Sequence, residues 1–389
     1  MGGRARYGYR EKIGPGAMCF LVFAPQGQSR MNALLRRIAA EFGTPAVVVD
    51  LAKVERNIAR VQAACDAAGV SIRPHIKTHK SPVFGKMQRD AGAKGITCQK
   101  IGEAEIFADA GFDDILISYN LLGEEKVGRL ARVMQRATVT VAADNPTVVA
   151  GLPRAAELSG RTLDVVVECD TGRKRAGVET PAEAVALAKD IASRPGLTFA
   201  GFMLYPPENA WRETQAFLDA AMAGVRAAGL PEPRIVSSGG TPNLAGLGKI
   251  AGVTEHRAGT YIFNDRMMVA CGAASLDDCA LTVVATVVSR AAPERGILDA
   301  GSKTLTSDTG GLDGYGLILE HPEGRIAKLA EEHGFLDLSR CNERPQIGDV
   351  VRVIPNHVCV VVNMVDRLVA TRGDDIVGEI PVAARGRIA

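Results

Sequence analysis

The sequence predicts an α/β protein, a (β/α)₈ barrel followed by a mostly-β domain. Three observations point there. Eight short β-branched runs between Ala46 and Ser238 are each followed by a helix-length connector, the pattern of a parallel sheet buried on both faces. At 389 residues the chain has room for a large domain and a smaller one. Beyond about Arg266 the texture becomes strand-rich runs broken by turns, which marks a second, β-rich unit.

Taken in order, residues 1–43 read as an N-terminal extension, partly flexible. Its apolar stretch "AMCFLVFA" follows Arg4, Arg6, Arg10 and Lys12, but it is short, Glu11 interrupts the basic flank and no small-residue cleavage site follows. Met31 opens "MNALLRRIAAEFGTPAVVVD", which reads as a natural start. The barrel is expected over 44–266. Its candidate strands are 46–50, 71–76, 95–98, 115–118, 138–142, 163–168, 197–203 and 234–238. Val54, Ile58 and Val61 recur at helical spacing between the first two. "TPAEAVALAKDIASRPG" repeats that pattern, with Thr180 as N-cap and Pro181 at the first helical position. Glycines at 92, 111, 160 and 196 suit short returns from helix to strand. Residues 267–389, with runs such as "ALTVVATVVSR", "GDVVRVIP" and "DIVGEIPVAARG", make the β domain.

Composition narrows the function. A net charge of +2 gives no reason to expect nucleic acid or an anionic membrane as partner. No apolar run reaches the roughly 18 residues a spanning helix needs. The eight cysteines are scattered without a C-x-x-C pair, which suits buried thiols in a reducing, cytoplasmic setting rather than a disulfide framework.

The chemistry gathers at "RPHIKTHK", residues 73–80. Lys77 falls at the C-terminal edge of a strand, where a barrel carries its active site. A partly desolvated lysine near other cations becomes a usable amine, suited to a Schiff base. On an extended backbone His75 and His79 would share its face. The competing reading is a solvated basic loop.

Three glycine-containing stretches suit a phosphorylated ring cofactor. "SSGGTPN", residues 238–243 within it, closes the eighth candidate strand, and "RAGTYIF" follows from Arg257. Small residues there let backbone N–H groups approach a phosphate. "ECDTGRKRAGV" leaves the sixth strand with Arg173, Lys174 and Arg175. Finally, His357 and Cys359 in "PNHVCVVVN" alternate on an expected strand and so face one side, as a pair able to chelate a divalent ion. A buried cysteine beside a satisfied histidine is the alternative.

Together these motifs resemble the fold-type III pyridoxal-phosphate enzymes, in the branch of D-threonine aldolase and eukaryotic-type D-serine dehydratase. The resemblance runs from about Thr44 to Arg387, with "RPHIKTHK", "GITCQKIGEAE", "ECDTGRKRAGV", "SSGGTPN", "AGTYIF", "LDAGSKTLTSD", "EEHGF" and "PNHVC" in the family's order. It implies an alanine-racemase-like barrel with a C-terminal β domain, working as a homodimer. It also implies that Lys77 carries pyridoxal 5'-phosphate as a Schiff base. Gln99, Arg175 and Tyr205 would border the cofactor, and Ser238, Gly239, Gly240, Thr241, Gly259, Thr260 and Tyr261 would hold its phosphate. His357 and Cys359 would bind the metal, Mn²⁺ or Zn²⁺. The activity implied is a lyase on small β-hydroxy-D-amino acids: retro-aldol cleavage to glycine and an aldehyde, or alternatively dehydration of D-serine or D-3-hydroxyaspartate. A non-catalytic regulator of cofactor supply is a third possibility, against which the metal pair speaks. The chain differs from the aldolase pattern in two places. Its metal motif is H-x-C, as in the dehydratases, although Asn363 and Asp366 resemble the aldolase continuation. "LYPPENAW", residues 204–211, lacks the histidines the aldolases carry there.

Overall fold

The computed structural model describes residues 25–389; the first 24 residues of the expected extension lie outside them. The rest of that extension forms the Pro25–Phe42 helix, whose Leu34, Leu35 and Ile38 pack on Ala46, Val48, Val284 and Val369. An i, i+1, i+4 apolar set makes that docking face.

Eight parallel strands form one sheet. Ser71–Ile72 lies beside Glu255–Arg257, followed by Ile235–Gly239, Leu197–Leu204, Leu163–Cys169, Thr138–Ala143, Asp114–Ile117 and Ile96–Cys98. A bridge between His75 and Thr97 returns the last strand to the first. Apolar side chains such as Ile115, Val139, Val165 and Phe199 join the surrounding helices in one core. Buried Arg73 spans three strands near the sheet's start, pairing with Glu255 at 2.9 Å and Asp114 at 2.7 Å.

Two expectations about strands are corrected. Ala46–Asp50, expected as the first barrel strand, belongs to the second sheet, antiparallel to Leu281–Ala292 and parallel to Arg367–Arg372. Glu255–Arg257 takes its place in the barrel. An unbroken apolar run such as Ala46–Val49 fits the middle of either sheet, and three polar residues in a row carry no strand signature.

The second sheet has nine strands and is almost wholly antiparallel. The 12-residue strand Leu281–Ala292 pairs with Val350–Ile354 along its first half and with Arg295–Leu298 along its second. These pairings close a β barrel. Where expected, Thr180 caps the Pro181–Ser193 helix through a reciprocal pair with Glu183. Val54, Ile58 and Val61 are buried on the Leu51–Ala67 helix. Among the described residues no helix is long and apolar enough to cross a membrane.

Candidate active site

The expected cofactor residues follow the C-terminal ends of the barrel strands. Lys77 follows Ser71–Ile72, Gln99 follows Ile96–Cys98, and Tyr205 follows Leu197–Leu204. Gly239–Thr241 ends Ile235–Gly239, and Gly259 and Thr260 come just after Glu255–Arg257.

The basic octet is not a solvated loop. Ile76–Thr78 is a turn of 3₁₀ helix, with His75 as its N-cap. Three residues complete such a turn, so His75, Lys77 and His79 do not share the face expected of an extended chain. His75 Nε2 sits 3.1 Å from Gln99 Oε1 and 3.3 Å from Ser118 Oγ, while its Nδ1 accepts the Lys77 N–H. Burial, reinforced by the charges of Lys77 and Arg257, pulls His75 well below the imidazole range. It is therefore a neutral donor to Gln99. His79 turns the other way, to Gln88 Oε1 at 3.1 Å, between Phe84 and Phe107.

Burial is also the main cause that pulls Lys77 below the usual lysine range; Cys359 opposes it and Arg175 adds to it. A lysine so placed has a larger share of free amine at neutral pH. Arg175 lies 4.9 Å from the Tyr205 ring centroid and Arg173 4.2 Å, two cations on one aromatic. Arg175 also meets Glu168 at 3.6 Å. Burial raises the Glu168 carboxyl, against the pull of Arg175.

The glycines form a cradle no side chain could share. A Cβ on Gly239 would stand 2.9 Å from Arg257 O, on Gly240 2.6 Å from the Tyr205 ring, and on Gly259 2.7 Å from Thr78 Oγ1. Gly240 has φ +106°, a conformation available to glycine at little cost. Thr241 and Thr260 each open a 3₁₀ turn, where the first N–H groups have no acceptor within the turn. Thr241 Oγ1 accepts the Tyr261 N–H at 3.2 Å and so joins the two turns. The Tyr261 hydroxyl points away, accepting from Gln88 Nε2 at 2.9 Å in the core. Tyr261 thus belongs to the cradle through its backbone. These features fit pyridoxal phosphate: an amine at one end, an aromatic wall and cations along it, and glycine turns with room for the phosphate, where the Gly240 N–H is already given to Arg257 O at 2.6 Å.

Sequence reasoning missed Arg257. It is buried, donating to Ser237 O at 2.7 Å, Ser237 Oγ at 2.6 Å and Leu204 O at 2.9 Å. Burial draws it down to about 10, against Glu255 and Glu168. His256, drawn down to about 4 by burial, donates to Gly240 O at 3.1 Å and braces the glycine turn. No local pattern marked Arg257, because "EHR" has no strand signature.

The second domain brings up His357 and Cys359. The expected strand is corrected: His357 is the N-cap residue of a short helix, Val358–Asn363, whose first turn carries Cys359. The two side chains remain close enough to shift each other's titration. Burial would lower His357, but Cys359 and Asp308 outweigh it and push it up to about 10. Burial would raise the Cys359 thiol, yet His357 and Lys77 bring it below the usual range. Each side chain thus favours the charged form of the other. Asp308 Oδ2 lies 2.6 Å from His357 Nδ1, which leaves Nε2 as the ring nitrogen a metal could take. A thiolate and an oriented imidazole are a fitting donor set for a divalent ion. Among the described residues no group of three or more His, Cys, Asp and Glu is arranged to hold a metal.

The two halves touch. Thr78, next to Lys77, places Oγ1 3.2 Å from Cys359 Sγ.

Comparison with known proteins decides the family. The family model "Alanine racemase, N-terminal domain" matches residues 49–267, and "Putative serine dehydratase domain" matches 280–371. The chain belongs to the fold-type III pyridoxal-phosphate family. Within that family it is 36% identical over 363 residues to a D-threonine aldolase from Arthrobacter sp, covering 89% of this chain and 94% of that protein. It is 35% identical over 350 residues to the D-threo-3-hydroxyaspartate dehydratase of Delftia sp. (strain HT23), covering 81% and 90%. The crystal structure of D-threonine aldolase from Filomicrobium marinum superposes with a TM-score of 0.83 at 31% identity, covering 89% of this chain and 96% of that one. A cysteine-to-alanine variant of the dehydratase, described as the metal-free form, superposes with a TM-score of 0.80 at 30% identity, covering 90% and 98%.

Proposed function

We infer that the protein is a lyase for small β-hydroxy-D-amino acids, with pyridoxal phosphate on Lys77 and a divalent ion, Mn²⁺ or Zn²⁺, on His357 and Cys359. The observation that carries this reading is the 3.2 Å contact between Thr78 and Cys359. With the cofactor on Lys77 and an ion on His357 and Cys359, a substrate's Cα and its β-hydroxyl would be addressed together. The similar D-threonine aldolases support retro-aldol cleavage to glycine and an aldehyde.

When bound, the cofactor supplies an electron sink at Cα and the metal a Lewis acid for the β-hydroxyl. The chain does the rest. The glycine turns and the hydroxyls of Ser238, Thr241 and Thr260 anchor the phosphate; Tyr205 backs the ring, and Arg175 faces its oxygen. Neutral His75 orients Gln99 without adding a charge. Lys77, as an amine, moves the proton at substrate Cα. Asp308 fixes the ring of His357, and two protein donors leave coordination positions open for water and substrate.

Dehydration to a 2-oxo acid and ammonia is the second reading. Cys359 in the metal pair and the lack of histidine between Leu204 and Trp211 favour it. The metal-free cysteine-to-alanine variant of the similar dehydratase supports a cysteine ligand. Seven described cysteines, all free, suit a reducing cytoplasm, and the homodimer implied by the family completes the reading.

Purified protein with pyridoxal phosphate and Mn²⁺ or Zn²⁺ is incubated with D-threonine. Glycine and acetaldehyde are expected. 2-Oxobutyrate would move the assignment to the dehydratase, and no product from D-threonine or D-3-hydroxyaspartate would overturn both.

A further inference from the structure

Lys80, the last residue of the basic octet, has no part in the chemistry above, yet its placement is unusual. Its backbone is left-handed, with φ +49°, a region that asparagine or glycine enters more readily. Its side chain is buried, with Nζ 2.8 Å from Asn363 Oδ1 and 3.3 Å from Glu103 Oε1. Both partners lead back to the site. Glu103 is 1% exposed and its other oxygen accepts the N–H groups of Gln99 at 2.7 Å and Lys100 at 3.2 Å. Gln99 in turn holds His75, which receives the Lys77 N–H. Asn363 closes the helix that carries Cys359. One ammonium therefore connects the strand end beside the cofactor lysine to the far end of the metal helix. The Lys80 carbonyl also accepts the Ala384 N–H at 2.9 Å, so backbone and side chain both cross between the two domains.

We propose that Lys80, through Glu103 and Asn363, is a positioning residue that registers the metal pair against Lys77. The proposal rests on the metal reading of His357 and Cys359. A cation shared between two domains fixes a distance that apolar packing alone leaves adjustable, because its hydrogen bonds are directional and a bare buried carboxylate at Glu103 is costly. Polar contacts grip the short Val358–Asn363 helix at both ends. Asp265 Oδ2 holds its start by accepting the Val358 N–H at 3.1 Å, and Lys80 holds its end.

Removing only the ammonium would strand Glu103, so the test uses Lys80→Met/Glu103→Gln, which removes both charges, together with Asn363→Ala. Four quantities are read on the pyridoxal-phosphate holoenzyme: melting temperature, cofactor absorbance, Mn²⁺ affinity by titration, and turnover. The double variant is expected to keep its melting temperature and cofactor absorbance while binding Mn²⁺ about 10–100-fold more weakly, the usual scale for losing an outer support of a metal site. Turnover should fall at fixed low Mn²⁺ and recover in part when the ion is raised. Asn363→Ala should weaken Mn²⁺ severalfold and leave the cofactor untouched. Mn²⁺ affinity within twofold of the parent in both variants, with a lowered melting temperature, would overturn the proposal and leave Lys80 as a plain fold stabiliser. If the parent protein itself takes up no divalent ion, the metal reading fails and the proposal with it.

Discussion

The two halves of the site are built on different terms. On the cofactor side, parallel strand ends each deliver one group, and the backbone does much of the work: the Gly239–Gly240 and Gly259 turns, the Thr241 bond to the Tyr261 N–H, and the His256 brace on Gly240. On the side proposed to bind metal, one short helix is held by a few side chains, with Asp308 on His357, Asp265 at the helix start and Asn363 at its end. The cofactor cradle is thus fixed many times over, whereas each support of the metal pair stands alone. Substitutions should act locally on the first half and sharply on the second.

The largest effect is expected at Lys77, where the distributed cradle has no substitute. Lys77→Ala should abolish the absorbance of lysine-linked cofactor and lower turnover by more than about 10³-fold. Borohydride reduction that still traps cofactor on another lysine would break the assignment. Chelation, or Cys359→Ala, comes next, with a loss of about 10²-fold or more in turnover but cofactor absorbance and melting temperature nearly unchanged. A structural ion would behave otherwise, because its binding free energy is folding free energy.

Gly240→Val tests the cradle. A Cβ there meets the Tyr205 ring at 2.6 Å, and φ is +106°, so strain of about 1–3 kcal/mol is expected. Cofactor affinity, measured by fluorescence titration, should drop roughly tenfold, about 1.4 kcal/mol. Unchanged affinity would remove the phosphate from this turn.

The metal half should show a pH dependence of its own. Without metal, His357 is pushed up to about 10 by Cys359 and Asp308 against burial. Below that pH an arriving ion must displace the proton. Apparent Mn²⁺ affinity should therefore rise about tenfold per pH unit between pH 7 and 9, with a proton released on binding in calorimetry. Stability of the metal-free protein follows the opposite sense for this group. The raised imidazole contributes stability that is present below about pH 6.5 and is lost as pH approaches 10.

The smallest effect is expected for Tyr261→Phe. Its hydroxyl serves Gln88 in the core, so the loss should be about 1 kcal/mol of stability with unaltered cofactor binding. A weakened cofactor would return the Tyr261 side chain to the phosphate site.

The same division explains what could be read from the sequence. Lys77 and the glycine turns were legible because turn chemistry is local: the residues that shape a strand end stand next to one another. His357 and Cys359 stand out in the sequence as a motif, but their local structure does not. "HVCVVVN" has the β-branched content of a strand, yet a hydrogen bond from Val358 N to Asp265, 93 residues away, starts a helix there instead. Partners at such separations leave no mark on local pattern. Asp308 lies 49 residues from His357, and Asn363 lies 283 residues from Lys80. Arg257 was overlooked for a related reason: an arginine buried inside a barrel reads, in sequence, as a surface charge.

The strand Ala46–Asp50 bears on how the chain reaches this fold. Its neighbours in the sheet, Leu281–Ala292 and Arg367–Arg372, come more than 200 residues later. At the usual 5–20 residues per second of synthesis, the strand waits roughly 10–50 s for its first partner. Throughout that interval an apolar edge stands open while the barrel beside it can already assemble. Contacts between such distant parts of the chain form late and slowly. A cut ahead of Leu51 would leave the eight parallel strands whole and remove an inner strand from the other sheet, so the β domain, though encoded last, depends on a segment made near the start.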